Sequence, residues 1–199
     1  MVDTALLIIL LLICVLVFLF SFWRNLKDDY LPSQIFSLAF NVFLLATLGF
    51  YVWRYVGNLA FWVVILSLLL GYIIGSIRSR IKIYDGLDGA VISILISVLF
   101  SSLLLFKFRS SQLVLFYGMI AAGIIIYSLV KKNYKSFVWY KSGRRGFSGL
   151  FVIGVFFLTR SIVSIVKPEL TYYLYEYDII ISGLISFMSF LNIFILGGK

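Results

Sequence analysis

Apolar residues in this chain come in long unbroken runs, separated by short polar punctuation. A helix needs about 20 such residues to cross the roughly 30 Å hydrocarbon layer of a bilayer. Seven runs qualify: Ala5–Trp23, Ser33–Trp53, Asn58–Ile77, Gly89–Phe106, Ser111–Val130, Phe147–Val166 and Tyr173–Leu196. The breaks are of the right kind. Asp28, Asp29 and Pro32 separate the first two runs, and Ser33 is placed to cap the second. Asp85, Gly86 and Asp88 precede the fourth run, where negative charge near a helix N-terminus is stabilising. Lys167, Pro168 and Glu169 end the sixth, and Arg54–Gly57 leaves only a tight hairpin between the second and third. The expected architecture is an all-α, polytopic transmembrane bundle of about seven spans.

Composition agrees. Of 199 residues, 63% are hydrophobic and 13% charged. Soluble domains run nearer half apolar and a quarter charged. A bilayer removes the problem of hiding that surface, because lipid is the solvent. The runs extend from Ala5 to Leu196 and leave no room for a soluble domain between them. The first run follows Asp3 rather than a basic segment and has no small-x-small cleavage site after it, so it reads as a retained span and not as a leader.

Basic residues set the expected orientation. Arg24, Lys27, Arg78, Arg80, Lys82, Lys131, Lys132, Lys135, Lys141, Arg144, Arg145 and Lys199 fall on one side of a seven-span chain. Arg54, Lys107, Arg109 and Lys167 fall on the other. Twelve against four is a strong positive-inside signal. It predicts an outer N-terminus and a cytoplasmic C-terminus in a multi-pass protein of the cell (plasma or inner) membrane. Trp23, Trp53 and Trp62 stand at span ends, where interfacial anchors sit.

Candidate chemistry is sparse. The chain has no histidine, which removes the commonest general base and neutral metal ligand. No P-loop, dinucleotide fingerprint or metal cluster is present, and no metal or cofactor is expected. Cys14 stands alone in an apolar run and reads as a small hydrophobe. The segment Lys131–Gly146 mixes basic residues with Tyr134, Phe137, Trp139 and Tyr140. On the cytoplasmic side of a membrane protein that pattern points to topology and anionic headgroups, not nucleic acid. Gly71 and Gly75 allow close helix packing, on a short and common pattern.

Arg160 carries the most information. It lies inside the sixth run, seven residues before Lys167, so about 10 Å from the span end. Ser164 and Lys167 follow on the same helix face. Glu176 and Asp178, at the start of the seventh run, are the candidate ion-pair partners, and Gln112 opens the fifth on the same side. Two readings stay open. One is an outward-facing pocket that grips a phosphate through Arg160, Ser164, Lys167 and Gln112. The other is a snorkelling arginine with a structural ion pair. Energetics favour a guanidinium facing the bundle, beside the third or fifth span.

The stretch Ser142–Gly154, running on through Thr159, Arg160, Ser164, Lys167 and Pro168, resembles the sixth span of bacterial prolipoprotein diacylglyceryl transferase. There, a glycine-led apolar helix ends in an arginine, a glutamate four later and a second arginine three after that. Arg160 matches the functional arginine, Ser164 replaces the glutamate and Lys167 the second arginine. Phe61-Trp62, leading through Leu70, Gly71 and Tyr72 to Arg78 and Arg80, is similar to that family's first span, with Trp62 in place of a tyrosine. Asp85–Phe106 resembles its second, with Ser101 and Ser102 where a Gly-Arg pair stands. Ser111-Gln112-Leu113 resembles the start of a Pro-Ser-Gln-Leu-Tyr-Glu motif, with Val114 and Leu115 replacing Tyr-Glu. The likeness covers residues 58–199 as a five-helix region, and residues 1–57 add two helices before it.

Two of the family's spans are missing, and with them its His-Gly-Gly segment and its Arg-x-Gly-Asn-x-x-Asn-Gly-Glu signature. The resemblance implies diacylglyceryl transfer from phosphatidylglycerol to a lipobox cysteine, with Arg160 as the candidate catalytic residue. Anionic phospholipid and prelipoprotein signal peptides would be the partners. The lost signature leads us to expect loss of that activity. The alternatives are a non-catalytic membrane scaffold or partner-binding protein and, with less support, a small-solute transporter.

Overall fold

The computed structural model describes residues 4–56, 59–105, 111–133, 146–168 and 177–197. These form seven α-helices: α1 Thr4–Leu26, α2 Pro32–Val56, α3 Ala60–Ser79, α4 Ile83–Leu105, α5 Ser111–Asn133, α6 Phe147–Val166 and α7 Asp178–Gly197. Six of them, α2 to α7, are long and apolar enough to cross a membrane. In α1 the apolar stretch counted is Leu12–Leu26, inside a helix of 23 residues. The chain is therefore an all-helical bundle of the multi-pass membrane type.

Local chemistry sets the helix ends. α2 starts at Pro32, whose missing N–H costs nothing in a first turn. The expected Ser33 cap is not what closes this turn. Gln34 Oε1 instead accepts the Leu31 backbone N–H at 3.1 Å, the returning half of a capping box. α6 starts after Gly146, whose φ of 101° suits glycine, and a Cβ there would lie 2.7 Å from the Tyr84 carbonyl.

Neighbouring helices meet through small residues. A Cβ at Gly71 would sit 2.9 Å from both the Asn41 carbonyl oxygen and the Val42 Cα, and one at Gly75 would sit 3.0 Å from the Leu38 carbonyl. The two glycines thus let α3 lie backbone to backbone against α2. α1 packs along α4, with Gly89 against Phe22, Asn25 and Leu26. One apolar cluster joins Phe18, Phe22 and Leu26 of α1 to Leu38 and Val42 of α2 and Tyr72 of α3. A second joins Ile92 and Leu95 of α4, Ile120 of α5 and Val152 of α6. A third joins Val130, Phe147, Leu150, Ile193 and Leu196 of α5 to α7.

One end of the bundle is tied by polar contacts between turns. Tyr30 Oη donates to Asp85 Oδ2 at 2.9 Å and accepts the Lys82 backbone N–H at 3.3 Å. Burial, helped by Asp85, pushes the Tyr30 phenol up from its ordinary value. Gln34 Nε2 donates to the Ser79 carbonyl at 3.0 Å, and Lys131 Nζ to Asn25 Oδ1 at 2.9 Å. Asp88 accepts the backbone N–H groups of Gly146 and Gly149 at 2.9 and 2.6 Å.

Those bonds revise two expectations. α4 begins at Ile83 rather than Gly89, because both carboxylates in its first two turns have partners on other elements. Asp88 caps a helix, but that helix is α6. Trp62, expected at the interface, is 7% exposed and stacked on Phe157.

Candidate functional site

α6 and α7 meet along a polar seam inside the bundle. On α7 the buried positions include Asp178, Ser182, Ser186 and Ser189, spaced by helical turns. On α6 they include Gly154, Phe157, Arg160, Ser161 and Ser164. Small side chains bring the helices close and let hydroxyls reach the opposite backbone. Ser186 Oγ donates to the Gly154 carbonyl at 2.9 Å, and Ser161 Oγ to the Ile179 carbonyl at 3.1 Å. At Gly154 a Cβ would stand 3.0 Å from the Phe190 ring.

Arg160 and Asp178 close one end of this seam. The Arg160 Nη2 lies 3.1 Å from both Asp178 oxygens. Arg160 is 5% exposed and Asp178 0%. Ser164 Oγ adds a long contact of 3.4 Å to Asp178 Oδ2. From α3, the Phe61 ring covers the guanidinium at 3.9 Å from its centroid, with Trp62 at 6.0 Å. Trp62 continues the aromatic layer onto Phe157 at 5.9 Å. Three helices therefore meet around one buried charge pair.

This arrangement explains how an arginine stands about 9 Å inside α6, six residues before its last. An arginine at the centre of a span costs about 2.5–3.5 kcal/mol on insertion scales. A carboxylate on one side and a π-face on another offset that cost.

The other sequence candidates are distributed differently. Lys167 is exposed at the C-cap of α6, where its backbone N–H donates to the Val163 carbonyl. Gln112 falls in the first turn of α5, but its side chain lies outside the described residues. Glu176 lies outside them too, as does the basic segment 134–145. Among the described residues, no group of histidine, cysteine, aspartate or glutamate has the arrangement of a metal site.

Sequence reasoning did not single out Phe61 as a partner of Arg160, nor the serine stripe of α7. The stripe has a signal, since Asp178, Ser182, Ser186 and Ser189 recur at one helix face. The Phe61 contact has none, because it joins residues far apart in the chain. No protein-family model, no curated protein and no solved structure matches this chain.

Proposed function

We propose that this chain is a non-catalytic integral membrane protein, a scaffold or partner-binding bundle, in which the Arg160–Asp178 pair fastens α3, α6 and α7 at one membrane face. The observation that carries this reading is the pairing of the buried Asp178 with Arg160 inside the bundle. Diacylglyceryl transfer would need a cation available for a phosphate and a base available for a thiol. Here the arginine charge is already neutralised, and the carboxylate that neutralises it is the one described candidate base on that side. The absence of histidine supports the same reading. Expression in bacteria depleted of their own prolipoprotein diacylglyceryl transferase tests it: lipoprotein diacylglycerylation stays lost. Restored modification would overturn the reading.

One observation favours a second reading, a diverged transferase-like frame that keeps a pocket for anionic phospholipid such as phosphatidylglycerol. Phe61, Trp62 and Arg160 carry the sequence resemblance from separate spans, and they meet at one place. The buried Trp62 Nε1 there has no hydrogen-bond partner among the described residues, which leaves a donor for an acceptor group. On this reading, phosphatidylglycerol co-purifies with the protein and is lost on Arg160→Ala. On the first, that substitution changes stability and leaves the bound lipid unchanged.

A further inference from the structure

We infer that α1 and α4 form a binding site for one anionic glycerophospholipid, at the opposite end of the bundle from Arg160. An open groove of about 420 Å³ runs there, lined by Ile13, Leu16, Val17, Phe20, Ser21 and Arg24 of α1 and Ile96 of α4. Its lining is apolar except at one end. Arg24 stands eleven positions after Ile13, about 16 Å along the helix. That is half of the roughly 30 Å hydrocarbon layer, so the groove has the depth of one leaflet. Its volume lies within the range of ~300–1,000 Å³ typical of ligand clefts. The chemistry that fits such a shape is an acyl chain.

The end of the groove selects the headgroup. Arg24 is exposed, and among the described residues no carboxylate pairs with it. One turn on, Lys27 Nζ lies over the Trp23 ring at 5.5 Å. Lys131 is held to Asn25, the residue after Arg24, at 2.9 Å. Arg24 thus lines the polar end of the groove, and Lys27 and Lys131 stand at the same end of the bundle, with Asp28 and Asp29 in the turn beyond them. A guanidinium forks onto phosphate oxygens, and the ammonium groups add attraction without geometry. A zwitterionic headgroup gains less, because its own cation opposes the cluster.

The test uses the purified full chain in nanodiscs of phosphatidylglycerol and phosphatidylcholine in equal amounts, released into native mass spectrometry. One retained phosphatidylglycerol is expected, in preference to phosphatidylcholine. Arg24→Gln reduces that preference about fivefold, the effect of one basic residue at an anionic surface. Leu16→Trp, at a lipid-facing position that fills the groove without entering the core, removes the retained lipid whatever its headgroup. The paired variant Arg160→Met with Asp178→Leu leaves this lipid in place, which separates the groove from any site at the other end. Equal retention of both lipids, a preference that survives Arg24→Gln, or a protein dimer in place of the lipid adduct would each overturn the inference.

Discussion

The Asp88 carboxylate accepts the Gly149 backbone N–H at 2.6 Å, so a side chain of α4 caps the first turn of α6. Its second oxygen takes the Gly146 N–H at 2.9 Å. Four N–H groups at a helix start have no partner within the helix, and at the edge of a bilayer an unmet one is costly. The cap therefore joins two helices as well as ending one.

Asp88→Ala should lower stability by about 1–3 kcal/mol, the cost of leaving buried donors unmet. Asp88→Asn should fall between, because its amide offers one acceptor oxygen where the carboxylate offers two. Thermal unfolding in detergent, followed by tryptophan fluorescence, reads both. Equal Tm values for all three proteins would show that the cap contributes nothing.

Glycines give a contrast of sign. Gly71→Ala places a methyl group 2.9 Å from backbone atoms of α2, which cannot swing aside as a flexible side chain would. We expect it to destabilise by about 1–3 kcal/mol, as overpacking does. At Gly118 a Cβ meets nothing within 4 Å. Gly118→Ala should stabilise by about 0.5–1 kcal/mol through helix propensity alone. The same unfolding assay decides, and a loss at both positions would contradict the open space at Gly118.

Much of this fold was legible because apolar runs and their punctuation carry it. α6 runs from Phe147 to Val166 as expected, since Gly146 and Pro168 bracket the run. α4 begins six residues before the expected Gly89, because Asp85 and Asp88 resemble loop residues until their partners on other elements are known. No local pattern reports a tertiary hydrogen bond. The site divides in the same way. Arg160 advertised a need for a carboxylate, since a lone charge in a span is costly. The spacing left Glu176 and Asp178 equally placed, and only the packing of α7 on α6 brings Asp178 to the guanidinium. Its aromatic cover by Phe61 depends on where α3 lies, which hydropathy does not encode.

The basic residues predict a sidedness that labelling tests. In a Cys14→Ala background, single cysteines replace the exposed Lys27, Lys132 and Lys167. A membrane-impermeant thiol reagent applied to intact cells should modify the thiol at position 167 and spare those at 27 and 132. The twelve-to-four distribution of Lys and Arg motivates this. The reverse pattern would invert the orientation, and modification at all three would break the alternating topology.

The Arg160–Asp178 pair makes the sharpest energetic prediction, because a buried ion pair behaves differently when halved than when replaced. Arg160→Ala leaves a carboxylate that is 0% exposed without its main partner. Asp178→Ala removes that carboxylate from a buried arginine that faces Phe61. Each should cost about 3–5 kcal/mol. Arg160→Met with Asp178→Leu removes both charges and keeps the volume, so it should recover most of that loss. Arg160→Lys keeps the charge but not the planar group that lies over the Phe61 ring, and should fall between wild type and Arg160→Ala. Thermal unfolding of the four variant proteins and the wild type completes the comparison. If the single losses add in the double variant, the two residues do not act as a pair, and the role of Arg160 as the fastening of α3, α6 and α7 fails with it.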